Sequence, residues 1–124
     1  MIRNPVLPVG SLWVANGGND SVTEISTGGL IGTDGAFVQN ILGPQYGFDH
    51  PFGIIASRTQ IWVTNPRANS VSEFNASDGS WIRTVTGGSY GLFNPGEMLL
   101  TPAGVWVTNG GTPSANSIAI LPTG

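Results

Sequence analysis

Cysteine and lysine are absent from this chain, and histidine occurs once, at His50. Without cysteine there is neither a disulfide framework nor a thiolate metal centre. Charged residues make up 9% of the 124, the net charge is −3, and the four cations are the scattered Arg3, Arg58, Arg67 and Arg83. So few positive charges argue against nucleic acid or an anionic membrane surface as a partner. No stretch approaches the roughly 18 consecutive apolar residues of a membrane helix. Met1-Ile2-Arg3-Asn4 lacks the pattern of a signal peptide. The expectation is a soluble chain whose compartment is unspecified, secretion within a longer parent being left open. Gly-x-Ser-x-Gly, His-Glu-x-x-His and Walker-type loops are missing, so no familiar nucleophile or phosphate cradle is offered.

What the chain does have is a phrase written three times. It reads Leu12-Trp13-Val14-Ala15-Asn16, then Ile61-Trp62-Val63-Thr64-Asn65, then Val105-Trp106-Val107-Thr108-Asn109, with the tryptophans 49 and 44 residues apart. Pro51 and Pro95 each stand eleven residues before a tryptophan. After the asparagine come Asp20-Ser21-Val22, Asn69-Ser70-Val71 and Asn116-Ser117-Ile118. Glu24 and Glu73, then Asp34-Gly35 and Asp78-Gly79, then Tyr46-Gly47 and Tyr90-Gly91, recur in the first two repeats. The first repeat is longer by five residues around Thr27-Gly28-Gly29, and the third has three extra residues in its first loop. Self-similarity at about 40 to 50 residues, built on strand-forming residues, is the signature of propeller blades.

Each full repeat resolves into four short strands bounded by Gly, Pro, Asn and Asp. In the second repeat, strand a is about 53–56, b is 60–64, c is 70–75 and d is 80–86. Strand b is nearly all apolar, as a strand buried on both faces requires. Strand d alternates, which places Trp81, Arg83 and Val85 on one face and Ile82 and Thr84 on the other. The Asn-Gly-Gly runs at 16–18 and 109–111 supply residues that tolerate positive φ in a tight b–c hairpin. No window of about a dozen residues shows helical periodicity. With 19 glycines, 9 prolines and 40% apolar residues, an all-β fold of four-stranded antiparallel propeller blades is expected. Blade 1 covers about 2–50, blade 2 about 51–94, and blade 3 about 95–124 without its outer strand d. Three blades are too few for a ring, since closed propellers have roughly four to eight. The flat apolar faces of the end blades would then be exposed, so self-association is expected, most simply a six-bladed homodimer with blade 3 of one chain on blade 1 of the next. Derivation from a longer parent is the other expectation.

The runs Ile61-Trp62-Val63-Thr64-Asn65, Ala68-Asn69-Ser70-Val71 and Asp78-Gly79 resemble the NHL and YVTN groups of β-propeller repeats. His50-Pro51-Phe52-Gly53-Ile54 is similar to the Pro-x-Gly-Ile entry to their innermost strand, and the strand-b tryptophan is similar to streptogramin-lyase repeats. The resemblance spans essentially the whole chain. The third repeat departs from it, with Pro95-Gly96-Glu97-Met98 at the entry. Such a fold hosts many activities, so the resemblance bears on architecture far more than on function.

In propellers of this kind the d–a and b–c loops emerge together around the central channel. That would gather Asp49, His50, Asn94 and Glu97 with Asn16, Asp20, Asn65, Arg67, Asn69, Asn109 and Asn116, the face on which a small-molecule ligand is expected. His50 is the one imidazole available for acid–base or metal chemistry. The simpler reading is a loop histidine bonded to a neighbour, because its counterpart before Pro95 is Asn94. Glu97 is the candidate metal ligand, for a Ca²⁺ ion in the channel, since hard cations take oxygen donors. Lactonase-type six-bladed propellers use a Glu, Asn and Asp set on a central Ca²⁺, and a full set cannot be assembled here. A solvated carboxylate on the channel rim is the plainer alternative. Asn16, Asn65 and Asn109 recur once per blade and read as turn devices whose amides bond the b–c loop backbone. Trp13, Trp62 and Trp106 read as interblade core whose indole N–H groups need partners. Asn19-Asp20-Ser21 and Asn75-Ala76-Ser77 fit the N-glycosylation pattern, which matters only in a secreted chain.

These readings favour a non-catalytic binding or assembly module that needs no cofactor. The alternatives are a metal-dependent lyase or lactonase-type enzyme completed by further blades, and a propeller fragment or intermediate whose interest is self-assembly.

Overall fold

The structure is a computed structural model that describes residues 10–27, 35–86, 90–110 and 117–122. The expected first strand of repeat one, its glycine-rich insertion and the long loop of repeat three lie outside the described residues. So does Asn116.

Among the described residues, ten strands form three antiparallel sheets in which each strand pairs with its sequence neighbour. Sheet 1 holds β1 (Ser11–Asn16), β2 (Ser21–Ser26) and β3 (Phe37–Ile41). Sheet 2 holds β4 (Ile54–Ala56), β5 (Gln60–Asn65), β6 (Ser70–Asn75) and β7 (Trp81–Thr86). Sheet 3 holds β8 (Pro95–Thr101), β9 (Gly104–Asn109) and β10 (Ser117–Leu121). The all-β expectation holds, and the four strands expected of the second repeat form one sheet in order. Among the described residues, no helix is long and apolar enough to cross a membrane.

The repeats superpose in register as well as in sequence. The cross-strand pairs Trp13–Glu24, Trp62–Glu73 and Trp106–Ile120 occupy one face of their sheets. The neighbouring pairs Leu12–Ile25, Ile61–Phe74 and Val105–Leu121 occupy the opposite face, because successive residues of a strand point to opposite sides. The sheets stack so that the tryptophan face of each meets the opposite face of the next. Ile61, Val63 and Phe74 form a core with Val22 and Ile41, against which Trp13 packs. Val105, Val107 and Leu121 form a second core with Trp62 and Val71. Each fully buried large side chain stabilises by about 1.5–3 kcal/mol, so these two seams hold the molecule together.

Sheets 1 and 2 each carry a bulge, between Glu24 and Ile25 and between Glu73 and Phe74. An extra residue in one strand shifts which side chains share a face. Trp81 therefore lies opposite Phe74 and bonds Thr84 Oγ1 at 3.0 Å, on the side toward sheet 1. It does not join Arg83 and Val85 as simple alternation implied. The first strands of sheets 2 and 3 approach so closely at their starts that a Cβ on Gly53 would stand 2.2 Å from the Gly96 carbonyl. Thr64 exploits the gap: its hydroxyl donates to the Gly96 carbonyl at 2.9 Å and accepts the Gly53 N–H at 2.8 Å.

Candidate functional site

At the end of the sheets where the β1–β2 and β5–β6 loops turn, two links of the same design join neighbouring sheets. The His50 N–H donates to Asp20 Oδ1 at 2.8 Å, and the Asn94 N–H donates to Asn69 Oδ1 at 2.7 Å. All four residues are left-handed, with φ of 52, 55, 45 and 51° for His50, Asp20, Asn94 and Asn69. Asn and Asp tolerate this conformation better than other non-glycine residues, and His is also enriched there. In sheet 2 the loop is a 3-10 turn, Pro66–Ala68, stopped by left-handed Asn69. The glycines of the first Asn-Gly-Gly run are used differently from the hairpin expectation: neither Gly17 nor Gly18 is left-handed, and a Cβ on Gly17 would stand 3.3 Å from the Pro51 carbonyl. The missing side chain lets two loops meet, while Asp20 makes the turn.

The repeated asparagines tie the same region together. Asn65 Oδ1 accepts the Asp49 N–H at 3.2 Å and Asn109 Oδ1 accepts the Phe93 N–H at 3.0 Å. Asn65 Nδ2 donates to Ser70 and Ser72, and Asn16 Nδ2 donates to Ser21 and Thr23. Asn109 Nδ2 donates to the Gly91 carbonyl. They are structural devices, with hydroxyls of the next strand and the backbone of the incoming loop as partners, where the loop's own backbone was expected.

Of the sequence-derived site residues, Asp49 and His50 come together, joined by Asp20. His50 Nδ1 is 3.0 Å from Asp49 Oδ1 and 4.0 Å from Asp20 Oδ1, and the ligand-type atoms of the three lie within 4.8 Å of one another. A carboxylate can only accept, so in the His50–Asp49 bond the hydrogen is on His50 Nδ1. Two carboxylates and an imidazole form a donor set for a divalent ion such as Zn²⁺, although all three side chains are about half exposed and already engaged. Asn94 belongs to the second link, and Arg67 is exposed on the 3-10 turn. Glu97 lies elsewhere: it is exposed and lines a shallow apolar groove on the outer face of sheet 3 with Leu99, Trp106, Thr108 and Ile118. Its backbone N–H, not its carboxylate, is engaged, with Thr108 Oγ1 at 3.0 Å.

The tryptophans follow their place in the stack. Trp62 is 2% exposed, Trp13 is half-buried edge-on to Phe74 at 5.6 Å, and Trp106 is 37% exposed. Trp62 Nε1 has no partner among the described residues. Beside it, Glu73 accepts the Arg83 Nε–H at 2.6 Å, whereas the corresponding Glu24 accepts from Ser11 and Gln39. Sequence reasoning did not find Tyr46, whose hydroxyl donates to the Gly79 carbonyl at 2.5 Å and whose own carbonyl accepts from Ser72 and Thr84. Burial first, and the Asp78 charge second, push its phenol above the ordinary 10.0. The recurring Tyr-Gly was its signal. Along the opposite end of the sheets, crevices open beside the tryptophans, one lined by Ser57, Gln60, Trp62, Leu100 and Thr101. The chain matches no protein-family model and no curated protein.

Proposed function

We propose that this chain is a β-propeller segment that works as a non-catalytic binding and assembly module and completes its ring by associating with a second copy. The observation that carries the reading is the contrast between inner and outer sheet faces. Positions buried at the two internal seams recur on both ends of the stack: Leu12 is exposed where Ile61 and Val105 are buried, and Ile118 and Ile120 are exposed where Val71 and Glu73 are buried. Contiguous apolar surface of this kind marks an interaction site. The paired loops around Asp20, His50, Asn69 and Asn94 are the surface on which a small polar ligand would sit, because their polar side chains are held by links between sheets. Six blades from two copies fall inside the usual propeller range, and nine from three copies fall outside it.

Light scattering on a sizing column tests the reading. The expected mass is twice the 12.8 kDa chain, with a melting temperature that rises with protein concentration. A folded species of single-chain mass, melting independently of concentration, overturns it.

A further inference from the structure

We infer that the second copy docks head to tail, through two different faces, and that the register of its contact is the one already used twice inside the chain. This inference rests on the self-association reading above. Three cross-strand pairs hold equivalent positions: Leu12–Ile25, Ile61–Phe74 and Val105–Leu121. The second and third are buried beneath the tryptophan face of the preceding sheet. The first has no preceding sheet among the described residues, and Leu12 is exposed. At the other end, Trp106 sits opposite Ile120 and Leu99 in the positions that Trp13 and Trp62 fill at the internal seams. Its face has no following sheet among the described residues. Each open face is thus the counterpart of a surface that the chain itself shows how to cover. Two tryptophan faces have no such template, and neither do two Leu12 faces.

The chemistry of the two faces agrees with that pairing. Leu12–Ile25 is aliphatic, like the Val105–Leu121 pair that already receives Trp62. Its face carries Val14, Thr23, Phe37 and Asn40 and no charge among the described residues. On the tryptophan face, Ile120 stands where sheets 1 and 2 have Glu24 and Glu73. That position therefore adds no buried carboxylate to the contact, and the one acidic side chain on this face among the described residues is the exposed Glu97 beside Trp106. A two-copy ring makes the contact twice, so each needs only about half of the ~1,600 Å² typical of a stable complex. In the docked pair Trp106 of one copy lies against Ile25 of the next, as Trp13 lies against Phe74.

The absence of cysteine makes the test direct. Ile120→Cys and Leu12→Cys are prepared as separate single variants, both at exposed positions flanking the Trp106–Ile25 contact. Each is treated alone and in an equimolar mixture with a short bis-maleimide, with 6 M urea as the control for random collision (roughly full denaturation). Head-to-tail docking predicts a band of twice the chain mass in the mixture, abolished by urea, and none from either variant alone. Cross-linking of either variant alone, or none in the mixture while the unmodified chain keeps its doubled mass, overturns the head-to-tail pairing and leaves self-association standing. A single-chain mass for the unmodified protein is the distinct result that removes both.

Discussion

Replacing Arg83 by methionine isolates the energetics of the ion pair beside Trp62. The Glu73 side chain is 3% exposed and the Arg83 side chain 31%, with Nε 2.6 Å from Oε1. Removing the arginine strands a buried carboxylate, which costs about 3–5 kcal/mol in a fully buried pair. Because water reaches about a third of Arg83, the lower end, about 3 kcal/mol, is expected. The bond from Arg83 Nη2 to the Pro122 carbonyl is lost as well, adding about 1 kcal/mol. With a urea slope of about 2 kcal/mol/M, the midpoint should fall by about 2 M in a fluorescence titration at fixed protein concentration. The control is the double variant Glu73→Leu/Arg83→Met. Sheet 3 already carries Ile120 at the glutamate position, so an apolar pair should be accommodated there. The double variant should lie within about 1.5 kcal/mol of the unmodified chain, as replacing a buried pair by apolar side chains is often neutral. If Arg83→Met costs less than about 1 kcal/mol, or if the double variant costs the sum of the singles, the carboxylate is not being held by the guanidinium and the reasoning fails.

Two further outcomes can be checked by thermal melts. Tyr46→Phe should lose about 1 kcal/mol with the Gly79 bond. Since the folded phenol titrates above its unfolded 10.0, its contribution is whole below about pH 10 and fades as pH rises through the folded value. The unmodified chain should therefore weaken at alkaline pH by more than Tyr46→Phe does, and equal slopes would contradict this. His50→Asn should stay within about 0.5 kcal/mol of the unmodified chain, the usual range for exposed positions. Asn94 fills the same left-handed slot and makes the same backbone bond. A loss above about 1.5 kcal/mol would mean that the imidazole itself holds the loops.

The pattern of repeats located the strands to within a residue or so in the second repeat, because strand-forming runs there end sharply at Gly, Pro and Asn. Trp62, read as core, is 2% exposed. The pattern could not distinguish Trp62 from Trp106, which stand in nearly identical phrases and differ in whether a sheet lies beyond them among the described residues. Trp81 went to the face opposite the one read from alternation, since a bulge in a strand leaves no mark in a two-residue period. The site was legible as a group of loops that meet, and Asp49, His50, Asn94 and Arg67 are on them. The pairing within that group was not legible: Asp20 with His50 and Asn69 with Asn94 are 30 and 25 residues apart, and only the stacking of sheets brings them within hydrogen-bond reach. Glu97 was grouped with them by sequence position and instead borders an apolar groove.

The sequence by itself determined the all-β class, the repeat, the strand order within each sheet and the alternation of buried and exposed faces, because these depend on local propensity and a period of two. The tertiary structure alone decided which face of each sheet meets which, which of three equivalent tryptophans is buried, and how His50 and Asn94 are tied to the sheet before them. Those outcomes depend on contacts between residues far apart in the chain, and identical local phrases carry no record of their neighbours in space.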